Sequence, residues 1–378
     1  MRFHVLACLC VLFACAACLA TVTPNDFKDG SDSDRIDAAI RAAIATGERS
    51  VEIPRMNAGR GQAVWLIERA ILVPSDFTLT LRDCLVRLAP GVQDNIIRNA
   101  GAAKEPLQGD ANVRILGVGN AVLSGGTEAH FNPPGDKGGW RTIGVLLCGV
   151  QHFTIEGFTL EETQAWAVSV ENGCAFGRIA NLTFGNTNKY PNQDGVDIRK
   201  GCHDIQVENI TGVTGDDAVA VTGLRNEKSK VNPGVRTMQV GGNAPRPDDD
   251  IYNITIRNVR AKVAGGHHIV RLLNQDGIRL YNVFIGDIMD ASGTNEPRVQ
   301  AGVKIGDTRY WSMSPCQLGD TYNVVVDNVL TRGKTAVKIQ GPLKNAVLRN
   351  VVGYGGCTNL VEKSAPTENV VIDARRLD

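Results

Sequence analysis

Three aspartates gather in one stretch, Asn192 to Thr222, which reads NQDGVDIRKGCHDIQVENITGVTGDDAVAVT. Asp194 precedes one short apolar-alternating run, GVDI, and Asp216 and Asp217 precede a second, AVAV, which begins 23 residues later. Carboxylates brought close together repel, so a surface that needed only to be solvated would gain nothing from this placement. Such a group has two ordinary chemistries: general acid and base flanking a glycosidic bond, or oxygen ligands for Ca²⁺. A calcium site would more naturally be completed by further acids or carbonyls. The chain instead supplies Gly266-His267-His268 next, and then Lys304.

To bring these residues together, the chain must fold so that the two runs lie side by side. Segments read in phase show how: IGVLLCGVQHFTIEGFTL, WAVSVENGCAFGRIANLTF, DGVDIRKGCHDIQVENIT, DDAVAVTG, HHIVRLLNQDGIRLYNVFI, AGVKIGDTRYW, TYNVVVDNVLT and TAVKIQGPLKNAVLRNVV. Coils of about 22 to 28 residues with no helix in them point to an all-β, right-handed parallel β-helix. The phase predicts that Val196, Val219, Val270, Val303 and Val337 stack inward in one parallel sheet. The outward stripe beside them runs Ser169, Asp197, Ala220, Arg271, Lys304 and Lys338. Arg271 and Lys304 then sit on neighbouring rungs, on the face of the acids, and offer a planar fork and a point charge to an acidic ligand. Asn recurs before the same apolar step at Asn181, Asn209, Asn258, Asn282, Asn328 and Asn350, where it would turn the chain between sheets and form an amide ladder. The glycosylation-like triplets at Asn181, Asn209 and Asn253 are read as turn and strand residues. His152 and His203 fall at turns on the far side of the coil. A second NQDG, Asn274 to Gly277, lies in the turn after its strand and is set aside.

One clear helix precedes the coils within residues 24–55, with Ser33 or Asp34 as its cap, Ile36, Ala39, Ile40, Ala43 and Ile44 on one face, and Gly47 at its end. It is expected to cover one end of the array, with a strand at Val51 to Ile53 after it. Insertions at about Gly126–Arg141, Leu224–Asp250, Asp290–Val299 and Asp307–Asp320 break the pattern. Three of them leave the strand face of the acids and would wall a groove there. With 378 residues, 43% hydrophobic, and 40 basic against 40 acidic residues, the chain can build a large core and carries no global field favouring nucleic acid. The apolar run from Val5 to Leu19 reads as a signal peptide over residues 1–20, leaving one β-helix domain over residues 21–378. No other stretch could span a bilayer. Ala16-Ala17-Cys18 also suggests a lipid anchor at Cys18, so the expected location is secreted, periplasmic or outer-membrane lipoprotein. Cys174 and Cys202 share a phase on neighbouring coils, which fits either a bridge or stacked buried thiols. A monomer is expected.

At the acids the sequence resembles glycoside hydrolase family 28, the polygalacturonases, whose pattern is NTD, a GDD-type triad, GHG and RIK on successive coils of a right-handed β-helix. Asn192-Gln193-Asp194 matches the first, Gly215-Asp216-Asp217 the second, and Gly266-His267 two positions of the third, with His268 in place of the last Gly. The fourth departs: aligned on Gly302-Val303, Lys304 takes the Arg slot and Gly306 the Lys slot. The resemblance covers about residues 50–375. It implies an inverting hydrolase in which Asp216 is the general acid, Asp194 and Asp217 activate water, His267 assists, and Asn192 lines the substrate site. In the family the Arg and Lys pair holds a uronate carboxylate; Arg271 and Lys304 are the substitutes that phase suggests. Neither a metal nor an organic cofactor is called for. Two other readings stand beside this one: a polysaccharide lyase using Ca²⁺ with Arg271 or Lys304 as base, and a non-catalytic glycan-binding β-helix.

Overall fold

The computed structural model describes residues 21–104, 106–126, 139–140, 142–225, 235–236, 248–310 and 314–377. The signal-peptide run with Cys18, most of the insertion at 126–141 and most of that at 224–250 lie outside the described residues. Short strands coil into two long parallel sheets. One holds ten strands, from Ile71–Val73 to Asn359–Lys363, each paired to the strand one coil away. The other runs from Ser50–Ile53 to Thr367–Arg376. Every named pairing in both is parallel, and crossovers between parallel strands are right-handed. The architecture is the right-handed parallel β-helix that the coil pattern predicts.

The register of the ten-stranded sheet follows the predicted phase. Val196 pairs with Val219, Val219 with Val270, Val270 with Val303 and Val303 with Val337. All five are fully buried in the main core. The outward stripe is equally in register, with Ser169 beside Asp197, then Ala220, Arg271, Lys304 and Lys338. Inward valines therefore fix which side chains face out, because the side-chain period of a strand is two.

The amide ladder is real but is two ladders. Asn181, Asn209 and Asn258 form one, with Asn209 Nδ2 donating to Asn181 Oδ1 at 2.8 Å and Asn258 Nδ2 to Asn209 Oδ1 at 2.7 Å. Asn282 belongs to the other, where it donates to Asn253 and accepts from Asn323. The two differ by five residues along the same long strands, so spacing to the next apolar step does not separate them. Each of these residues has φ between 50° and 57°, a left-handed turn that Asn tolerates. The amides at Asn181, Asn209 and Asn253 are thus engaged in the fold.

The helix spans Asp32–Thr46, and its cap is Ser31, two residues before Ser33 and three before Asp34, the caps the sequence suggests. Ser31 and Asp34 make a capping box, which frees Asp32 and Ser33 to point inward. Asp32 accepts from Arg35, Arg60, Asn57 and the Leu66 backbone, and Ser33 accepts from the Glu68 backbone. Ile36, Ala39, Ile40 and Ala43 join the main core, with Ile44 partly buried against it, so the helix does close that end of the array. Gly47 ends it at φ 78°. Cys174 and Cys202 are buried free thiols, each donating to a carbonyl of the neighbouring rung, Leu147 and Val170 respectively. His152 and His203 stand in the second sheet, in a column of rings with Phe176, Tyr252, Tyr281 and Tyr322.

Candidate active site

Outward residues of four consecutive rungs, starting at Val196–Arg199, Val219–Gly223, His268–Asn274 and Ala301–Ile305, enclose a cavity of about 290 Å³. Asn192, Asp194, Asp216, Asp217, His267, Arg271 and Lys304 all line it. Each acid sits in the turn just before its strand. Gln193 braces that turn: its carbonyl accepts from the N–H groups of both Gly215 and Asp216, at 2.9 and 3.1 Å. Its side chain donates to Thr163 O at 2.5 Å. Gly215 is required by closeness, because a Cβ there would lie 2.8 Å from Gln193 Cβ and 3.0 Å from Asn188 Cα.

The two adjacent acids have different partners. Asp217 Oδ1 accepts from the His268 backbone N–H at 2.9 Å and from the His268 ring Nδ1 at 2.8 Å, while its Oδ2 faces Arg271 Nη1 at 3.6 Å. Asp216 Oδ1 meets His267 Nδ1 at 3.2 Å and accepts from the Asp217 N–H at 2.9 Å. Burial, and then the charge of Asp217, push Asp216 up to about 6, against the pull of His267 and Arg271. Burial also raises Asp217, but His268 by charge and hydrogen bond, with Arg271 and His267, outweighs it and holds Asp217 well below the carboxylate range. Asp194 is pushed well above that range by burial, by Asp216, Asp197 and Asp217, and by a hydrogen bond shared with Asp197. The cluster therefore holds one firmly ionised acid and two that tend to keep protons.

Arg271 and Lys304 lie side by side as predicted, but both are tied to Asp307, which the sequence reading did not single out. Lys304 Nζ donates to Asp307 Oδ1 at 2.5 Å and Arg271 Nη2 to Asp307 Oδ2 at 3.0 Å. Burial and then the Arg271 charge lower Lys304. Burial works against Arg271, yet Asp217 and Asp307 hold it above its ordinary value. Gly306, in the family's Lys slot, has φ 73°, and a Cβ there would lie 2.5 Å from Gly341 Cα. A side chain at this position would be strained in the present backbone. Among the described residues, two insertions reach the cavity, through Leu224 and Tyr310, and Gln300, just after a third, also lines it. The second NQDG positions the last of these: Gln275 donates to Asp307 O at 3.0 Å and accepts from Tyr310 N at 3.3 Å.

Other lining residues escaped the sequence reading. Asp197 and Arg199 form an ion pair at 3.4 Å at one end, with the Arg199 guanidinium 4.0 Å above the Trp166 ring. Asp197 lies on the outward stripe, and Arg199, two residues on, shares its face, so the period of two is the signal that points to both. His268 looked only like a lost glycine. A cation would find one oxygen each from Asp216 and Asp217 and one nitrogen from His267 within 4.8 Å of one another. Among the described residues, this set includes an imidazole nitrogen, whereas Ca²⁺ takes oxygen ligands, so it suits the calcium-dependent reading poorly.

A β-helix that gathers acids and cations in a cleft on the outward face of one sheet has the layout of an enzyme acting on glycans. The model of glycosyl hydrolases family 28 matches residues 112–340, more than half of the chain, and the protein belongs to that family as a glycoside hydrolase. The match is narrower than the span over which the sequence resembles the family. Among solved structures, the chain is similar to the hyperthermoactive exopolygalacturonase from Thermotoga maritima, with 14% identity, a TM-score of 0.58, and coverage of 93% of this chain and 91% of that one. The polygalacturonase from Erwinia carotovora gives 12% identity and 0.58, covering 95% and 97%. A double mutant of the tailspike protein of E. coli bacteriophage HK620 gives 14% and 0.63, covering 95% and 67%. At these identities the likeness concerns the fold. No curated protein matches the chain. Among the described residues, no helix is long and apolar enough to cross a membrane.

Proposed function

We propose that the protein hydrolyses glycosidic bonds in a polysaccharide or oligosaccharide carrying carboxylated sugars, such as a pectin-type galacturonan. Asp216 is the general acid, since burial keeps its proton at mildly acidic pH. Asp217, held ionised, activates water. Asp194, raised by burial and by the neighbouring acids, assists by orienting that water. The observation that carries the substrate class is the pair of cations on neighbouring rungs, Arg271 and Lys304, directly beside the acids. Asp307 neutralises part of their charge, so a substrate carboxylate would share the pair with it.

Inversion is the outcome the family implies. Inverting acid and base groups usually stand about 6.5–9.5 Å apart, whereas Asp216 and Asp217 place oxygens within 4.8 Å of each other. The anomer first released, read by proton NMR before mutarotation, decides the point. Retention would replace water with a carboxylate nucleophile.

The primary test is release of reducing ends from polygalacturonate beside a panel of other acidic and neutral glycans, with chelator present. Hydrolysis of an acidic member, insensitive to chelator and without ultraviolet-absorbing unsaturated ends, is expected. Unsaturated ends would mark a lyase. Binding without cleavage of any member would mark a glycan-binding module.

A further inference from the structure

We propose that His268, which stands where the family pattern has glycine, is a positioning residue that fixes Asp217 as the water-activating base and so makes Asp216 the acid. This rests on the hydrolytic reading above. The acids alone do not choose between roles: they are adjacent in the chain, occupy one turn and line one cavity. Their partners choose. His268 gives two donors to a single oxygen, Oδ1 of Asp217, from its backbone at 2.9 Å and its ring at 2.8 Å. A glycine would keep the first and lose the second.

The ring cannot be replaced by water without rearrangement. The His268 and Asp217 side chains are 4% and 2% exposed, whereas His267, the imidazole beside Asp216, is 41% exposed. A hydrogen bond to an ionised group in a dry site is roughly twice as strong as a neutral one. The contact is also anchored through the backbone, since Ala218, the residue after Asp217, donates its N–H to His268 O at 3.2 Å. The ring is thereby locked to the rung it serves. The charged groups facing Asp217 are Asp216 in its own turn, Asp194 on the preceding rung, with Asp197 beside it, His267, His268 and Arg271 on the following rung, and Lys304 beyond them. Asp307 offsets the last two cations. Burial lowers His268, while Asp217 by charge and hydrogen bond works to raise it; with a proton on Nδ1 the ring donates to Asp217 in its neutral and its charged form alike.

Two measurements on the full chain test the assignment. The first is the pH profile of kcat and KM on polygalacturonate, or on the panel member the wild type cleaves, for His268→Gly and for His268→Asn, whose amide keeps a donor near the Nδ1 position. In His268→Gly the acid limb, which reports ionisation of the base, should move to higher pH by about 1 to 2 units. kcat should fall about tenfold or more while KM changes little. His268→Asn should return the limb to within about half a unit of wild type. A limb that stays in place in His268→Gly overturns the proposal. The second measurement needs no substrate: long-range ¹H–¹⁵N spectra of histidine-labelled protein, wild type against Asp217→Ala. The His268 resonances should show the Nδ1–H tautomer and should shift in the variant; resonances indifferent to Asp217 overturn the clamp. If the wild type cleaves no glycan, the hydrolytic reading fails, and the spectra alone judge the contact.

Discussion

Asp216 and Asp217 share a turn but not an environment, and that difference sets the expected pH dependence. A general acid must enter the reaction protonated, and Asp216, raised to about 6 by burial and by Asp217, is so at mildly acidic pH. Turnover should therefore peak on the acid side of neutrality and fall about tenfold per unit well above pH 6, measured as kcat/KM across pH. Asp216→Asn should lower turnover at least about a hundredfold. Its effect on stability has a defined sign. A raised folded-state pKa means stability present below the ordinary carboxylate value and lost as pH rises through about 6. The Asn variant escapes that loss, so above pH 6 it should match or exceed wild type in denaturant unfolding, by on the order of 2 kcal/mol. Near-normal hydrolysis by this variant would remove Asp216 from the mechanism. Lys304→Ala tests the anionic subsite more cleanly than Arg271→Ala, because Arg271 also faces Asp217. It should weaken an acidic substrate by about 1.5–3 kcal/mol and leave a neutral one nearly unchanged in KM and kcat. Equal effects on both would make Lys304 a structural partner of Asp307.

At the scale of the element, the rung is the unit that positions chemistry. An inward valine fixes the phase, the residue after it faces the cleft, and on the rungs of Val196, Val219 and Val270 the turn before it carries an acid or a histidine. Gly306 shows how tightly the rungs are packed at their ends: it takes a left-handed turn directly against Gly341. Gly306→Ala should lower stability by about 1–3 kcal/mol through strain and contact, seen as a lower midpoint in denaturant, with the cleft residues untouched. A variant as stable as wild type would mean that the family's Lys could have been kept. The amide ladders work similarly, since Asn209 both accepts from Asn258 and donates to Asn181.

For the whole molecule, each coil buries its apolar faces only against its neighbours, so the first coil needs a cover. The helix Asp32–Thr46 supplies it, with Ile36 and Ala39 fully buried. Ile36→Asp would place a charge in that interface and should lower overall stability by several kcal/mol, read as a drop in thermal midpoint. The cleft, rungs away, should keep its substrate preference in whatever fraction stays folded. An unchanged midpoint would mean the helix is not the lid of the array.

The coil, its phase and the gathering of Asp194, Asp216, Asp217, His267, Arg271 and Lys304 at one cleft are legible in the letters alone. Inward and outward positions alternate with period two, and a parallel ladder carries that phase unchanged from Val196 to Val337. The same periodicity set Arg271 beside Lys304, although 33 positions part them in the chain. Ser31 as cap and the second amide ladder were less legible, because several polar residues in a row satisfy the same local rule. Only the tertiary structure decided how charge is shared. That Asp307 takes both cations, that burial and the neighbouring acids raise Asp194, and that His268 rather than solvent faces Asp217 depend on distances of a few ångströms between coils. Pair energies and desolvation vary steeply over such distances, and no spacing of letters encodes them.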